Sequence, residues 1–463
     1  MPLRRARAAR VIPFLAGAAL AASQTVDSIP ALQAAINKAV AGDTLTLKDG
    51  AYTLDSTLAV RRAGTPGRPI TVTAETVGGV TLDGTHGIQV GGAAAHVVIA
   101  GFKFTHAAGK CTIQAGTSNV RFTRNTFACT GEGAYLTLAG DDAQIDYNEF
   151  RDKKTVGPML AVTGAGNQIA RRAWIHHNHF HDFAQAQNNG AETLRFGLST
   201  LGLSVGAGIV EHNLFERCNG ENELISNKSS GNIYRYNTLL DSPGAQLSLR
   251  HGNDCIVLGN ILRNTEGIRI LGDRHKVLSN YLEKNYIGVA IGNGSGEVAE
   301  GAALTVHDRP DNCVIAFNTF VENRTHYQMS KRTPTGLGAI GTVFANNLIV
   351  GGGIAARIDG PYASAVWGGN LLWKTGGAGS MPPEGFSAVD PQLAADAAGI
   401  LRPQAGSPVI DAAQGDFPAV TADLDGQPRE GAKDIGADEV STAPVIAKLL
   451  TPTDVGPMAK DNR

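Results

Sequence analysis

Four short polar segments in the middle of the chain carry residue types suited to acid–base or metal chemistry. They are NNGAE (188–192), ENE (221–223), NKSS (227–230) and LRH (249–251). Residues two apart on a strand point to the same face, so Glu221 and Glu223 are expected to face solvent together. Two such carboxylates repel each other unless a cation lies between them. Carboxylate and amide oxygens are ligands that Ca²⁺ prefers, so this region predicts a calcium site.

Two basic residues have a spacing that could bring them to these acids. Lys228 follows Glu223 by five residues, and Arg250 follows Lys228 by 22. Taken singly, a lysine or arginine on a strand is usually a surface charge, and an ENE triplet is usually a solvated turn. The combination is informative only if the chain returns to the same place about every 22 residues.

A repeat of that length runs along the chain. Alternating apolar residues lead to an Asn, one further residue and a large apolar residue, as in NVRFTRNTF (119–127) and CVIAFNTF (313–320). The Asn positions are 125, 148, 178, 213, 237, 260, 280, 318, 347 and 370, with gaps of 23, 30, 35, 24, 23, 20, 38, 29 and 23. A period of about 20 to 24 residues is typical of one coil of a parallel β-helix.

The composition agrees with this repeat. The chain has 57 Gly and many short β-branched runs, which indicate strands and turns. Leucine-rich repeats would need several Leu per repeat, and a propeller would need longer repeats. We therefore predict an all-β, right-handed parallel β-helix. Asn suits its corners because it tolerates the left-handed conformation, and stacked Asn side chains can hydrogen-bond along the solenoid.

The other segments fit around this body. Residues 28–50 predict a short amphipathic helix and a strand that cap the N-terminal end of the core. The long insertions at 181–207 and 283–311 are the expected binding loops. Residues 24–440 form the predicted β-helix domain, and 441–463 are a C-terminal tail without periodicity. Asp141 and Asp142 resemble the paired acids of hydrolytic β-helices, but without a partner motif they are assigned to a corner.

The first 23 residues have the pattern of a signal peptide. Four arginines precede an apolar segment from Val11 to Ala22, and small residues then offer a cleavage site. This predicts a secreted or periplasmic protein, with the export route open and no membrane span. Removing four Arg and no acid takes the formal net charge from −2 to −6. Such a charge argues against nucleic acid as a partner, so an anionic substrate would need a local basic patch or a bound cation.

The five cysteines suit neither a zinc site nor a dense disulfide framework. They are odd in number and show no CxxC spacing. One bridge is possible, with Cys111 and Cys129 the nearest pair. Buried packing is the predicted role for most of them.

The sequence resembles polysaccharide lyase family 6, the group that contains alginate lyases and chondroitinase B. The resemblance rests on ALQAAINKAVAGDTLTLKDGAYTL (31–54), NGAETLRFG (189–197), ENELISNKSSGNIYRYNT (221–238), LRHGN (249–253) and GIRILG (267–272). It implies Asn189, Glu221 and Glu223 as Ca²⁺ ligands, Lys228 as Brønsted base and Arg250 as Brønsted acid. The Lys-to-Arg interval is one residue longer than the family pattern, which leaves the turn between the two coils open.

The resemblance implies Ca²⁺-assisted β-elimination on an acidic polysaccharide, with alginate preferred and dermatan sulfate as the alternative. His251, Arg269 and Tyr327 are candidates for holding neighbouring sugar carboxylates. Because a guanidinium essentially never loses its proton, Arg250 would stabilise the leaving oxygen while water supplies the proton. A non-catalytic glycan-binding β-helix and a hydrolase stay open as further alternatives. The sequence does not determine endo or exo cleavage, uronate preference or oligomeric state.

Overall fold

A computed structural model describes residues 21–184 and 189–460. Its one α-helix, Ile29–Lys38, begins with a proline in its first turn, and it buries Leu32, Ala35 and Ile36. These residues close the N-terminal end of the core, as the sequence predicts. The predicted signal peptide lies almost wholly outside the described residues. In the described part of the chain, no helix is long and apolar enough to cross a membrane.

The rest of the chain winds as a right-handed parallel β-helix with three faces. The first face is a sheet of fourteen strands: Ser23–Val26, Thr44–Leu47, Ile70–Ala74, Ala95–Ala100, Ser118–Thr123, Gln144–Asp146, Trp174–His176, Ile209–Glu211, Ile233–Arg235, Ile256–Leu258, Lys276–Leu278, Val314–Ala316, Val343–Ala345 and Val366–Gly368. All its pairings are parallel and in register, and each strand pairs with the strand one coil away.

The second and third faces together form one continuous sheet. The second face contains Gly50–Leu54, Val80–Gly84, Phe102–Phe104, Thr126–Phe127, Glu149–Lys153, His179–Phe183, Leu214–Cys218, Tyr281–Glu283, Thr319–Val321, Leu348–Val350, Asn370–Trp373 and Phe386–Ser387. The third face contains Leu58–Val60, Ile88–Val90, Cys111–Ile113, Leu136–Leu138, Leu160–Val162, Leu194–Gly197, Glu223–Lys228, Ile287–Ile291, Thr325–Met329 and Ile354–Ile358. Two long strands, Thr238–His251 and Ile261–Ile270, bend through both faces.

Short elements complete the chain. Two-residue strands pair Gly164–Ala165 with Gln168–Ile169 and Ala339–Ile340 with Tyr362–Ala363. An antiparallel pair, Leu393–Ala395 with Leu401–Pro403, belongs to the C-terminal cover. Three 3₁₀ turns lie at Ser199–Leu201, Val298–Glu300 and Pro383–Gly385.

The predicted Asn ladder is confirmed. From Asn125 to Asn370, each repeat Asn donates its side-chain N–H to the side-chain oxygen of the next, at 2.9–3.0 Å. The same oxygen also accepts the backbone N–H of the preceding ladder Asn, as Asn237 does from Asn213. All ten side chains are buried. The ladder therefore satisfies backbone groups that the corner would otherwise leave without partners.

The reason we gave for Asn at the corner is wrong in one respect. The left-handed residue is the one before each ladder Asn, for example His177 (φ 53°), Tyr236 (φ 54°) and Phe317 (φ 57°). The side chain of Asn is needed for its hydrogen bonds, while the preceding residue makes the turn. In four successive coils the residue two places after Asn is an inward-pointing Phe. These rings stack on one another and on Phe104 of the preceding coil, with centroids 4.7 Å apart: Phe127, Phe150, Phe180 and Phe215.

We predict that Asn237→Ala destabilises the protein by about 2–4 kcal/mol, because it leaves several buried backbone groups without partners. Asn237 is 1% exposed and bonds Asn213, Asn260 and the Val210 carbonyl. Urea unfolding would measure the loss. Asn37→Ala is the control, because Asn37 is exposed and its side chain accepts a hydrogen bond from Gln33 on the same helix. Equal stability of the two variants would contradict a structural role for the ladder.

The structure also places the paired aspartates and the five cysteines. Asp141 and Asp142 pair with Arg171 and Arg172 at 2.7 and 2.6 Å, which confirms a corner role. All five cysteines are buried and free, so the possible bridge between Cys111 and Cys129 does not form here.

The C-terminal segment lies along the outside of the coils. Leu450 and Val455 pack against Leu214, and the Leu450 N–H donates to Thr238 Oγ1 at 3.0 Å. Arg124 donates to the carbonyls of Pro457 and Ala459 at 2.6 and 2.9 Å. Residues 441–460 thus cover several coils, a position that their aperiodic sequence does not indicate.

Candidate active site

The candidate residues gather on the third face, where four neighbouring coils place polar residues at one register position. Arg195 pairs with Ser226, Ser226 with Ser248, and Ser248 with Arg269. On either side of this row the positions are apolar or buried, as at Ile225 and Leu247. The row therefore crosses the strands at right angles, which brings residues far apart in sequence together.

A β-bulge accounts for the extra residue between Lys228 and Arg250. Asn227 pairs with Leu249, but Lys228 pairs with His251, so Arg250 is the additional residue on its strand. A bulge re-aims side chains without disturbing the neighbouring coils. The longer interval seen in the sequence is thus absorbed locally, and both side chains keep their place at the acidic cluster.

Three carboxylates converge at the centre of the site. One oxygen from each of Glu192, Glu221 and Glu223 lies within 4.8 Å of the others. Their residues are 1%, 5% and 5% exposed. Glu221 accepts the Ala191 N–H at 2.9 Å, and Glu223 accepts the Ser226 hydroxyl at 2.5 Å. Buried acids at this spacing repel each other strongly unless positive charge lies among them.

The donor set fits a hard cation. Burial and the charges of Glu192 and Glu223 raise the pKa of Glu221 to about 7. Among the described residues, Glu192 Oε2 is buried without a hydrogen-bond partner, and Arg195 Nη1 lies 3.8 Å from it. Carboxylate oxygens that are clustered and not fully paired are the ligands that Ca²⁺ takes. Asn189 lies three residues before Glu192 and is exposed, and its role as a ligand stays a prediction.

Basic side chains surround the acids. Lys228 Nζ lies 2.9 Å from Glu192 Oε1. Arg250 and Arg269 each place a guanidinium nitrogen 3.4 Å from Glu223 Oε1. Within the part of the chain that the structure describes, Arg250 Nη1 is buried and has no hydrogen-bond partner. The site thus holds a local basic patch of the kind that the negative net charge requires for an anionic substrate.

His251 lies beneath this patch rather than on it. It is 3% exposed, and its Nε2 has no hydrogen-bond partner in residues 21–184 and 189–460. Burial and the charges of Arg250, Lys228 and Arg269 lower its pKa to about 3, so the ring is neutral at physiological pH. Its contact with a sugar stays a prediction, and the structure leaves it little surface for one.

Tyr327 requires a correction. Its side chain is fully buried, stacks on Phe344 at 4.5 Å and bonds the Tyr362 hydroxyl at 2.8 Å. It therefore has no surface with which to hold a sugar carboxylate. Its neighbour Gln328 occupies the register position that continues the polar row through Arg269 and Ala290. Side chains alternate between the two sides of a strand, so the choice of Tyr327 instead of Gln328 selected the residue that points into the core.

The sequence analysis includes Glu192 in the polar segment 188–192 but does not name it as a metal ligand. The signal was available, since Glu192 is followed three residues later by Arg195 on an apolar strand. It also missed His307 and Arg332. These come from the insertion and from the loop after Thr325–Met329, and no spacing rule links them to the site.

Comparison with known proteins places this fold and site in context. The family model "Chondroitinase B" matches residues 26–336. A search of curated proteins gave no significant match.

Solved structures have the same fold. The alginate lyase AlyGC of family PL6 is 26% identical with a TM-score of 0.75, over 83% of this chain and 56% of that one. A mannuronic acid specific family 6 lyase from human gut microbiota is 24% identical with a TM-score of 0.68, over 80% of this chain and 91% of that one. A PL6 alginate lyase in complex with a trisaccharide is 19% identical with a TM-score of 0.68, over 85% and 93%. This chain spans just over half the length of AlyGC.

Proposed function

We propose, because this chain belongs to the chondroitinase B family within polysaccharide lyase family 6, that it cleaves alginate by β-elimination. The observation that carries the proposal is the convergence of three buried carboxylates with Lys228 and Arg250 on one face. Alginate is a chain of uronates, and each sugar carries an acidic proton at C5 beside its carboxylate. Removing that proton builds negative charge next to the charge already present.

A cation at the acidic cluster would offset the negative charge that develops beside the substrate carboxylate. We propose that Glu192, Glu221, Glu223 and Asn189 hold Ca²⁺. When bound, the ion would neutralise the substrate carboxylate and lower the energy of the charge that develops at C5. The carboxylate cluster fits a hard cation better than a zinc site, which takes imidazole or thiolate ligands.

The protein's own residues would carry out the proton transfer and hold the leaving group. Lys228 takes the C5 proton on Nζ. The C4–O bond then breaks, a C4=C5 double bond forms, and the leaving oxygen takes a proton from water. The Arg250 guanidinium stays protonated and donates hydrogen bonds to that oxygen. The Arg250 side chain is 26% exposed, which leaves surface for this contact.

Alginate is preferred because AlyGC, 26% identical to this chain, is an alginate lyase. Dermatan sulfate is the second candidate because the matching family model is named for chondroitinase B. Both substrates suit the same proposed elimination, since each carries a uronate. A protein that only binds glycan needs no proton acceptor, and the placement of Lys228 beside the acids argues against it.

The test is ultraviolet absorbance of the unsaturated product on each polymer, with and without a chelator. We expect the absorbance to rise with alginate as substrate, and we expect the chelator to abolish this rise. A rise in absorbance with dermatan sulfate alone would support the β-elimination but replace alginate as the substrate. Folded, calcium-loaded protein that yields no unsaturated product from either would overturn the proposal.

We also propose that the protein is exported, because residues 1–23 have the signal-peptide pattern. Ala22 and Ser23 already belong to the folded body, where the Thr44 N–H donates to the Ala22 carbonyl at 2.9 Å. Of the cleavage sites that the small residues offer, these contacts favour the one after Ala21, so that the mature protein begins at Ala22 and the signal peptide ends two residues earlier than the predicted 23. N-terminal sequencing of protein recovered outside the cytoplasm tests this, and an uncleaved N-terminus there would contradict it.

A further inference from the structure

The second face carries a cluster of imidazole and carboxylate groups that the proposed reaction does not use. It comes from three adjacent strands: Glu149–Lys153, His179–Phe183 and Leu214–Cys218. The register pairs Glu149 with His179, and His181 with Glu216. Because the alternate residues, such as Phe180, point into the core, these four side chains point away from it. One ligand atom of each of Glu149, His179 and His181 lies within 4.8 Å of the others.

The two histidines lie between the two acids, and each contacts one of them. The imidazole rings stack with centroids 4.1 Å apart. His181 Nε2 lies 3.2 Å from Glu149 Oε1, and His179 Nε2 lies 2.8 Å from Glu216 Oε2. Around tetrahedral Zn²⁺, with bonds of roughly 2.0–2.2 Å, neighbouring ligand atoms are about 3.3 Å apart. The observed separations are close to that value, so small side-chain rotations would admit the ion.

A second layer of contacts orients these side chains. His181 Nδ1 lies 2.6 Å from Asp182 Oδ2, which holds the ring proton of the neutral imidazole on Nδ1 and leaves Nε2 free to bind a metal. Glu149 Oε2 lies 3.2 Å from Arg151 Nε, so Oε1 is the oxygen turned to the cluster. The other acid has an arginine behind it in the same way, at 3.7 Å. A carboxylate behind a histidine is the arrangement that supports metal-binding imidazoles in proteins.

We propose that this cluster binds Zn²⁺ and that the ion ties three successive coils together. The four ligands are Glu149, His179, His181 and Glu216. Imidazole nitrogens suit Zn²⁺, whereas Ca²⁺ takes oxygen ligands, so this site and the acidic cluster on the third face select different ions. The four side chains are 11% to 26% exposed, which lets an ion reach them. The C-terminal segment lies against the site, since a Cβ atom at Gly456 would be 3.6 Å from His179 Cβ. Bound Zn²⁺ should therefore stabilise the folded protein.

The test is calorimetric titration of Zn²⁺ into the full-length, metal-free protein, with excess Ca²⁺ present to occupy the acidic cluster. One Zn²⁺ per chain is expected to bind, and the midpoint of thermal unfolding should rise with Zn²⁺ concentration. Asp182→Asn should weaken Zn²⁺ binding by about 10- to 100-fold, the usual effect of a partner behind a ligand, and His181→Gln and Glu149→Gln by more. His86→Gln is the matched control, since it removes a histidine outside the cluster that contacts Thr85.

Two results would overturn the inference. One is wild-type protein that binds no Zn²⁺ in a one-to-one ratio. The other is Zn²⁺ affinity that stays the same in both His181→Gln and Glu149→Gln, which would place the ion elsewhere. Glu149 is the most exposed of the four ligands, so Glu149→Gln is the variant that should disturb folding least, and circular dichroism checks that it is folded. Zn²⁺ binding does not depend on the proposed reaction, so a protein that yields no unsaturated product but binds Zn²⁺ through these residues would still support the site.

Discussion

Lys228→Ala is expected to lower kcat on alginate by about 10²–10⁴-fold, the usual contribution of a positioned general base. The structure gives Lys228 a place that a surface lysine would not have. Its Nζ lies 2.9 Å from a buried carboxylate, and the bulge at Arg250 brings a guanidinium to the same acids. KM should change much less than kcat, because several other cations remain to hold the polymer.

Two further variants distinguish catalysis from structure. Lys228→Arg keeps a positive charge near Glu192 but has no accessible neutral form, so it should be as inactive as Lys228→Ala while restoring any lost stability. Lys276→Ala removes a half-buried lysine from the first face and should leave kcat unchanged. If Lys228→Arg keeps most of the wild-type kcat, Lys228 is not the base.

The fold could be predicted from the sequence because its strongest signal is local and repeated. From Asn125 to Asn370, each coil carries an Asn and, two places later, an apolar residue that points inward, and both are buried. Asn148 still donates to the side chain of Asn178, although 30 residues separate them. The insertion between them therefore does not disturb the corner. The period therefore survives even where coils differ in length.

The site could be predicted only in part. Glu221, Glu223, Lys228 and Arg250 come together because they lie on adjacent coils at offsets close to the period. Tyr327 was misplaced because a shift of one residue on a strand reverses the side of the sheet. The contacts of His307 depend on the path of an inserted loop, and a repeat carries no information about that path.

The second large effect is expected from a substitution in the acidic cluster. Glu221→Gln is expected to weaken Ca²⁺ binding by more than about 100-fold, because even partners outside the direct ligands contribute about 10–100-fold in metal affinity. Activity should fall in parallel and recover partly at high calcium. Calorimetric titration of chelator-treated protein measures the affinity directly, without relying on turnover. Glu149→Gln, in a separate cluster with His179 and His181 on the second face, is the control that should keep the affinity.

The same cluster sets an expected pH dependence. Because burial and two neighbouring acids raise the pKa of Glu221 to about 7, a proton occupies this carboxylate in the metal-free protein below that pH. Ca²⁺ must displace the proton, so its affinity should fall as the pH drops below about 7 and level off above it. In Glu221→Gln this pH dependence should largely disappear along with most of the affinity. Calcium binding that is equally tight on both sides of neutral pH in the wild type would show that the ion does not bind at Glu221.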